Sequence, residues 1–234
     1  MDFAPAFFEL QLRLARRVAE LAPMPLEQAL LEYTHLYIRM GCGRRPDAGS
    51  ARWQEYLAGL KRNADSVAWT CEFRARARAW DTGPPLERVC GCFSYSRLAP
   101  ARVRLHFYSD PACAESSLAA QHAPARRREL ATLLGALARS EPATQVVGQS
   151  WLYGVEAYRR LFPAPWLESA RTVPPPWQRL PLWGQLVDRH GQVRPALQER
   201  FMQQLEAAAA LNQLAACFAF PVIAVEAPAR IFAT

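Results

Sequence analysis

Lysine is almost absent from this sequence. Only one of the 28 basic residues, Lys61, is a lysine, and the other 27 are arginines. This skew, beside many alanines, is typical of a genome that favours Arg and Ala codons, so the net charge of +7 is weak grounds for a nucleic-acid partner. No DNA- or RNA-reading motif accompanies the scattered arginines, and nucleic-acid binding is not expected to be the main function. Because guanidinium groups bind carboxylates and phosphates bidentately, a small anionic ligand stays a candidate partner.

The sequence also lacks a long apolar run. Its most apolar stretch, Leu214 to Val225, spans 12 residues and contains Pro221, whereas a membrane-spanning helix needs about 20. The N-terminus places its arginines after its apolar residues, which is the reverse of a secretory signal. We therefore expect a cytoplasmic protein without membrane association, whose six cysteines are reduced thiols.

Motifs for metals and nucleophiles are weak. Cys90 and Cys92 are separated by one residue, whereas zinc sites usually have C-x-x-C or a wider spacing and two further ligands. Ser150 stands in GQSWLYG, which matches G-x-S-x-G only loosely. We predict no metal site, and we predict that Ser150 caps the following helix instead of acting as a nucleophile.

Helical and strand patterns are segregated along the chain. Hydrophobic residues make up 51% of the 234 residues, enough for a sizeable core. Apolar residues spaced by three and four, from Phe3 to Leu21, open a helical third that ends near DTGPP, Asp81 to Pro85. We predict an α+β fold in which N-terminal helices (residues 1–85) pack against a mixed β-sheet (residues 86–234), as one compact unit.

The second region changes to strand patterns alternating with helices. Arg88–Ser96 and Arg102–Ser109 are rich in β-branched and aromatic residues and predict a hairpin. The elements predicted after it are a helix over about Ala125–Ser140, a strand at Thr144–Ser150, a short helix at Gly154–Phe162, a strand around Leu180–Val187, a helix from Pro195 to about Cys217, and an edge strand at Phe218–Val225. The order from residue 88 is thus hairpin, helix, strand, helix, strand.

The hairpin predicts one face with ring-bearing and cationic side chains. If Leu98 pairs with Ala101, Phe93 lies opposite His106, and side chains alternate between faces along each strand. The face then carries Phe93, Tyr95, Arg104, His106 and Tyr108. This composition suits a flat or anionic ligand, and the alternative is that the N-terminal helices pack on this face. A slip of one residue would regroup both faces.

The stretch RRRELATLLGALARSEPATQVVGQSWLYGVEAYRRLFPAPW, residues 126–166, carries a family resemblance. With the element order around it, about residues 88–190, it resembles the second half of the GNAT acyltransferase superfamily. In that family an amphipathic helix follows the central strand, and a short strand and a tyrosine-bearing helix come next. Tyr158 falls on the tyrosine, Gly154 on the small residue and Trp151 where asparagine is usual.

The resemblance implies an acyl-CoA site between two splayed strands, those around Arg102–Ser109 and Thr144–Gln149, where the family seats pantetheine. It implies Tyr158 as the general acid that protonates the CoA thiolate, with His106 as a candidate base. The family's glycine-rich phosphate loop is missing, since the equivalent stretch is QHAPARRREL. Arg126, Arg127 and Arg128 would then have to hold the phosphates with their side chains.

Three functions follow from these features. The first is a GNAT-like acyltransferase that moves an acyl group from acyl-CoA to a small nucleophile. The second is a GNAT-like module without catalysis that binds a ligand or another protein, which the missing glycine loop favours. The third is a single-stranded nucleic-acid binder that stacks bases on the aromatic and basic hairpin face.

Overall fold

The computed structural model describes residues 3–43, 45–77, 86–110, 113, 115–174 and 181–233. The chain forms two compact units: unit 1 is Met1–Thr82 with Pro174–Ala219, and unit 2 is Gly83–Val173 with Phe220–Thr234. The segment 174–219, which the sequence placed with the α/β region, therefore clusters with the N-terminal helices. The predicted boundary at Asp81 to Pro85 lies outside the described residues.

The N-terminal part of unit 1 is helical. Its helices are α1 (Pro5–Leu21), α2 (Leu26–Tyr33), α3 (Leu36–Arg39), α4 (Ala51–Arg62) and α5 (Ser66–Ala77). The apolar periodicity of α1 is confirmed, because Phe7, Leu10 and Leu14 are buried along one side. Helices α2 and α3 are separated at Thr34, whose hydroxyl donates to the Leu30 carbonyl and accepts from the Leu36 amide.

Unit 2 is built on a six-stranded mixed sheet. The strands are β1 (Arg88–Cys90), β2 (Phe93–Ala99), β3 (Arg102–Phe107), β4 (Gln145–Ser150), β5 (Arg171–Thr172) and β6 (Ile223–Pro228). They are arranged in the order β1-β2-β3-β4-β6-β5. Among these strands β3 and β4 pair in parallel, and the other neighbours are antiparallel. The predicted α+β class with a mixed sheet is confirmed.

Helices of unit 2 cover one face of this sheet. Helix α6 (Ala123–Ser140) connects β3 to β4, as a parallel pair requires. The short helices α7 (Glu156–Arg159) and α8 (Ala164–Glu168) follow β4. The core between helices and sheet includes Val103, Leu105, Leu130, Leu133, Leu134, Leu137, Val146, Tyr158, Trp166 and Val225. Because side chains alternate along a strand, the strand residues next to Val103, Leu105, Val146 and Val225 point to the other face.

Three predictions in the C-terminal third differ from the structure. The predicted strand around Leu180–Val187 is wrong, since Pro181–Gln185 forms a 3-10 helix. The helix predicted to reach Cys217 is α9 (Pro195–Ala207) followed by a separate 3-10 helix. The predicted edge strand is also wrong, because β6 begins after Pro221 and lies between β4 and β5. No helix within the described ranges is long and apolar enough to cross a bilayer.

Candidate functional site

The β2/β3 hairpin has a register one residue away from the predicted one. Phe93 pairs with Phe107 and Ser94 with His106, so the predicted pairing of Phe93 with His106 is wrong. The turn pairs Ala99 with Arg102 instead of Leu98 with Ala101, and a bulge between Arg97 and Ala99 inserts one residue into β2. Together these two changes move the ladder by one residue from the predicted register. A one-residue slip moves every side chain of the slipped strand to the opposite face.

This slip divides the predicted ring-bearing, cationic face. Phe93 and Tyr95, which are 0% and 5% exposed, belong to the core under the helices. Arg104 and His106 point to the other face, where the Ser96 hydroxyl lies 2.8 Å from His106 Nε2. The Tyr108 ring lies 6.3 Å from that of His106. Burial of two large aromatic side chains beside Leu105 is the physical reason for the observed register.

The face away from the helices contains a cleft of about 510 Å³, which we call the arginine cleft. Its lining comes from β2, β3, β4, β6 and β5, and comprises Leu98, Ala99, Arg102, Arg104, Val147, Gly148, Gln149, Arg171, Ala224, Val225 and Glu226. Arg104, Val147 and Glu226 stand in one row across three strands. Gln149, Ala224 and Arg171 form the next row.

Sequence reasoning identified Arg104 in this cleft and missed the others. Arg171 was not found because β5 has two residues, too few for an alternating pattern. Glu226 and Gln149 were not found because their neighbours come from distant parts of the chain. The alternation of apolar and polar residues in β3, RVRLHF, was the available signal for Arg102 beside Arg104.

Strands β3 and β4 separate after a short ladder. They form three pairs, from Arg102↔Gln145 to Arg104↔Val147. Beyond that pair β3 continues to Phe107 and β4 continues to Ser150, with no further pairing between these strands in the described chain. We call the region between Leu105–Phe107 and Gly148–Ser150 the strand gap.

Tyr158 lies at the strand gap on the helix side. Its ring centroid is 5.3 Å from that of Phe107 on β3 and 5.1 Å from that of Tyr153. Tyr153 in turn covers Gly148 on β4, where an added Cβ would overlap its hydroxyl. Burial, together with the neighbouring Tyr153 hydroxyl, raises the pKa of Tyr158 well above its usual value, so the hydroxyl stays protonated at neutral pH.

The contact at Gly148 gives a testable prediction. We expect Gly148→Ala to lower the free energy of unfolding by about 1–3 kcal/mol, because the new methyl overlaps Tyr153 and Val225. The matched control is Gly135→Ala in α6, where the nearest atoms lie 3.5 Å from the new Cβ, and helix propensity predicts a gain of up to about 1 kcal/mol. Urea unfolding followed by circular dichroism measures both. Equal stability of the two variants would contradict the packing described.

His106 flanks the strand gap from the opposite side. It follows Leu105 and precedes Phe107 on β3, and Leu105 belongs to the core under the helices. Alternation along β3 therefore directs the His106 ring to the face that carries the arginine cleft. Tyr158 and His106, the two predicted catalytic residues, lie on opposite faces of the sheet beside the same gap.

The predicted phosphate-binding triplet is largely used inside unit 2. Arg126 is 8% exposed, forms a 2.8 Å ion pair with Glu129 and donates to the Cys92 sulfur. Arg127 donates twice to the Arg160 carbonyl, at 2.8 and 3.1 Å. Arg128 is exposed on the first turns of α6. Of the three, only Arg128 is exposed and without a hydrogen bond or ion pair within the described residues.

The N-terminus of α6 does not provide a backbone phosphate cradle. A 3-10 turn over Ala120–His122 leads directly into the helix. The His122 amide donates to the Ala119 carbonyl, and the Ala123 amide donates to the Ala120 carbonyl. Pro124 has no amide hydrogen. Of the backbone donors at this helix end, two are therefore already used and the one at position 124 is missing.

Two weaker motifs have structural explanations. Ser150 caps the 3-10 helix that follows β4, since its hydroxyl oxygen accepts a 3.1 Å hydrogen bond from the Leu152 amide; the predicted cap is confirmed. Gly91 separates Cys90 from Cys92 at the tight turn between β1 and β2, with φ of 55°. The part of the chain that the structure describes contains no group of three His, Cys, Asp or Glu residues that could hold a metal ion.

The chain was compared with protein-family models, curated proteins and solved structures. No protein-family model matches the chain, and neither a curated protein nor a solved structure matches it.

Proposed function

We propose that unit 2 is a GNAT-like acyltransferase that transfers an acyl group from acyl-CoA to a small nucleophile. The observation that carries this proposal is the strand gap with Tyr158 beside it. A parallel pair joined by α6 parts after three residue pairs, and the resemblance implies splayed strands at this position. The tyrosine that the resemblance singles out lies where they part.

The two sides of the gap have chemistry suited to this transfer. His106 would accept the proton of the nucleophile on the cleft side as the new bond to the acyl carbon forms. On the helix side Tyr158 would donate its proton to the thiolate as the carbon–sulfur bond breaks. We propose that the reaction takes place in the cytoplasm, which suits the six free cysteines.

Unit 2 offers fewer contacts to the phosphate end of CoA than to its thioester end. With the amides at the start of α6 used internally and Arg126 and Arg127 engaged, Arg128 is the predicted cofactor residue that remains exposed. We therefore expect weaker binding of the pyrophosphate than a glycine-rich loop would give.

The small number of phosphate contacts at the start of α6 favours a second candidate. A GNAT-like module without catalysis needs no phosphate cradle, and it could bind a small anionic ligand in the arginine cleft. The nucleic-acid alternative loses the surface on which it depended, because Phe93 and Tyr95 are core residues and cannot stack with bases.

Acetyl-CoA should raise the melting temperature if the proposal is correct. A ligand at about 100 times its Kd adds about 2.7 kcal/mol to the folded state, which moves the unfolding midpoint by several degrees. We expect Arg128→Gln to weaken this shift, with Arg139→Gln, an exposed arginine in the last turn of α6, as the control. If millimolar acetyl-CoA produces no shift, the acyltransferase proposal fails and the binding module takes its place.

A further inference from the structure

The arginine cleft and the strand gap are contiguous. Arg104 and Val147 form the last pair of the β3/β4 ladder, and both line the cleft. Gly148 and Gln149, the next residues of β4, belong to the gap and to the cleft lining. A molecule bound in the cleft therefore lies next to the place where β3 and β4 part, on the face that carries His106.

The charge of the cleft is positive. Its lining contributes three guanidinium groups and one carboxylate, that of Glu226, which lies 3.0 Å from Arg102. Arg171 is exposed on β5, across β6 from Gln149. Guanidinium groups bind carboxylate and phosphate oxygens bidentately, so the chemistry of this lining selects an anion.

The arginines stand on both sides of a low floor. Arg104 on β3 and Arg171 on β5 are three strand spacings apart, which is about 14 Å between the backbones. The floor between them contains Val147, Gly148 and Ala224, and the longer side chains of Gln149 on β4 and Glu226 on β6 stand on the same side. A ligand with one anionic group engages one side, whereas a ligand with two anionic groups can engage both. The volume of about 510 Å³ is that of a small-molecule site.

We infer that the arginine cleft binds a small molecule with two anionic groups, a dicarboxylate or a carboxylate–phosphate, and that this molecule is the acyl acceptor. Its identification as the acceptor rests on the proposed acyltransferase function. The binding of the dianion itself rests on the cleft alone. In the acceptor the nucleophile would be an amine or hydroxyl between the two anionic groups, where the floor of the cleft meets the strand gap.

Calorimetric titration without CoA tests the binding. The probes are glutarate, a dicarboxylate, and phosphoglycolate, a carboxylate–phosphate, at low ionic strength. We expect one of them to bind, and Arg171→Gln to weaken that binding at least tenfold. Arg139→Gln, which removes the same charge from unit 2 outside the cleft lining, should leave the Kd unchanged. The probe with the lower Kd identifies the anionic class of the ligand.

Two results would overturn the inference: binding of neither probe to the unmodified chain, or equal weakening by Arg171→Gln and Arg139→Gln. The acetyl-CoA melting experiment is independent of both. If a dianion binds and acetyl-CoA does not, the cleft site stands and its role as an acceptor site fails with the acyltransferase. If acetyl-CoA binds and neither dianion does, the acyltransferase stands and the acceptor class is wrong.

Discussion

Tyr158→Phe is expected to slow acyl transfer by about 10²–10⁴-fold, the usual contribution of a general acid. The substitution removes one hydroxyl and keeps the ring that contacts Phe107 and Tyr153. Without that hydroxyl the thiolate must leave unprotonated or take a proton from water. Binding of acetyl-CoA should change little, because the lost interaction acts on the leaving group.

Release of the free CoA thiol, measured with a thiol reagent, gives the rate, and the melting temperature reports the fold. Tyr56→Phe is the matched control, since Tyr56 is fully buried in unit 1 and its hydroxyl lies 3.0 Å from Thr70 Oγ1. Both variants lose a buried hydroxyl, yet Tyr158→Phe alone should lose activity. An unchanged rate for Tyr158→Phe would rule out the role of general acid and leave a packing role.

Glu129→Ala should lower the free energy of unfolding by about 3 kcal/mol, because it leaves a buried charge without its partner. The Arg126 side chain is 9% exposed, and Glu129 lies 2.8 Å from its guanidinium. The second carboxylate oxygen accepts a 2.9 Å hydrogen bond from the Cys92 amide, which ties α6 to the β1/β2 turn. Both contacts disappear in the variant.

Two further variants separate the effect of leaving a buried charge unpaired from the effect of losing any carboxylate. Glu156→Ala removes a carboxylate that is 83% exposed and 4.0 Å from Arg159, and such a pair contributes at most about 1 kcal/mol. Arg126→Met combined with Glu129→Leu removes both charges and should recover much of the lost stability. A loss for Glu129→Ala as small as that for Glu156→Ala would contradict the burial of this pair.

Elements with strong local signals were predictable from the sequence. The spacing of Phe7, Leu10 and Leu14 defined α1, and Pro195 marked the first residue of α9. The strands of the hairpin were found, but their register was not. Phe93 with Tyr95 and Cys92 with Ser94 are both plausible inward sets, and the bulge at Leu98 that decides between them has no signature in the alternation.

Long-range packing accounts for most of the remaining differences. The segment 174–219 joins unit 1 through its aromatic side chains, since the Trp183 ring lies 6.3 Å from that of Phe7 and 5.2 Å from that of Phe218. No local pattern reveals a partner some 180 residues away. Arg126 is different, because its partner Glu129 follows three residues later on the same helix. That spacing predicts an ion pair, so the use of this arginine inside the protein could have been predicted.

The position of β6 between β4 and β5 has a consequence for biosynthesis. Residues 223–228 lie between β4 and β5, so a nascent chain that has emerged only as far as Ala219 holds both neighbours of an absent strand. At that stage Arg171 has no strand beside it, because Ala224 and Glu226 have not yet emerged. The arginine cleft can therefore form only after residues 223–228 have emerged, and a fragment that stops at Ala219 cannot form it.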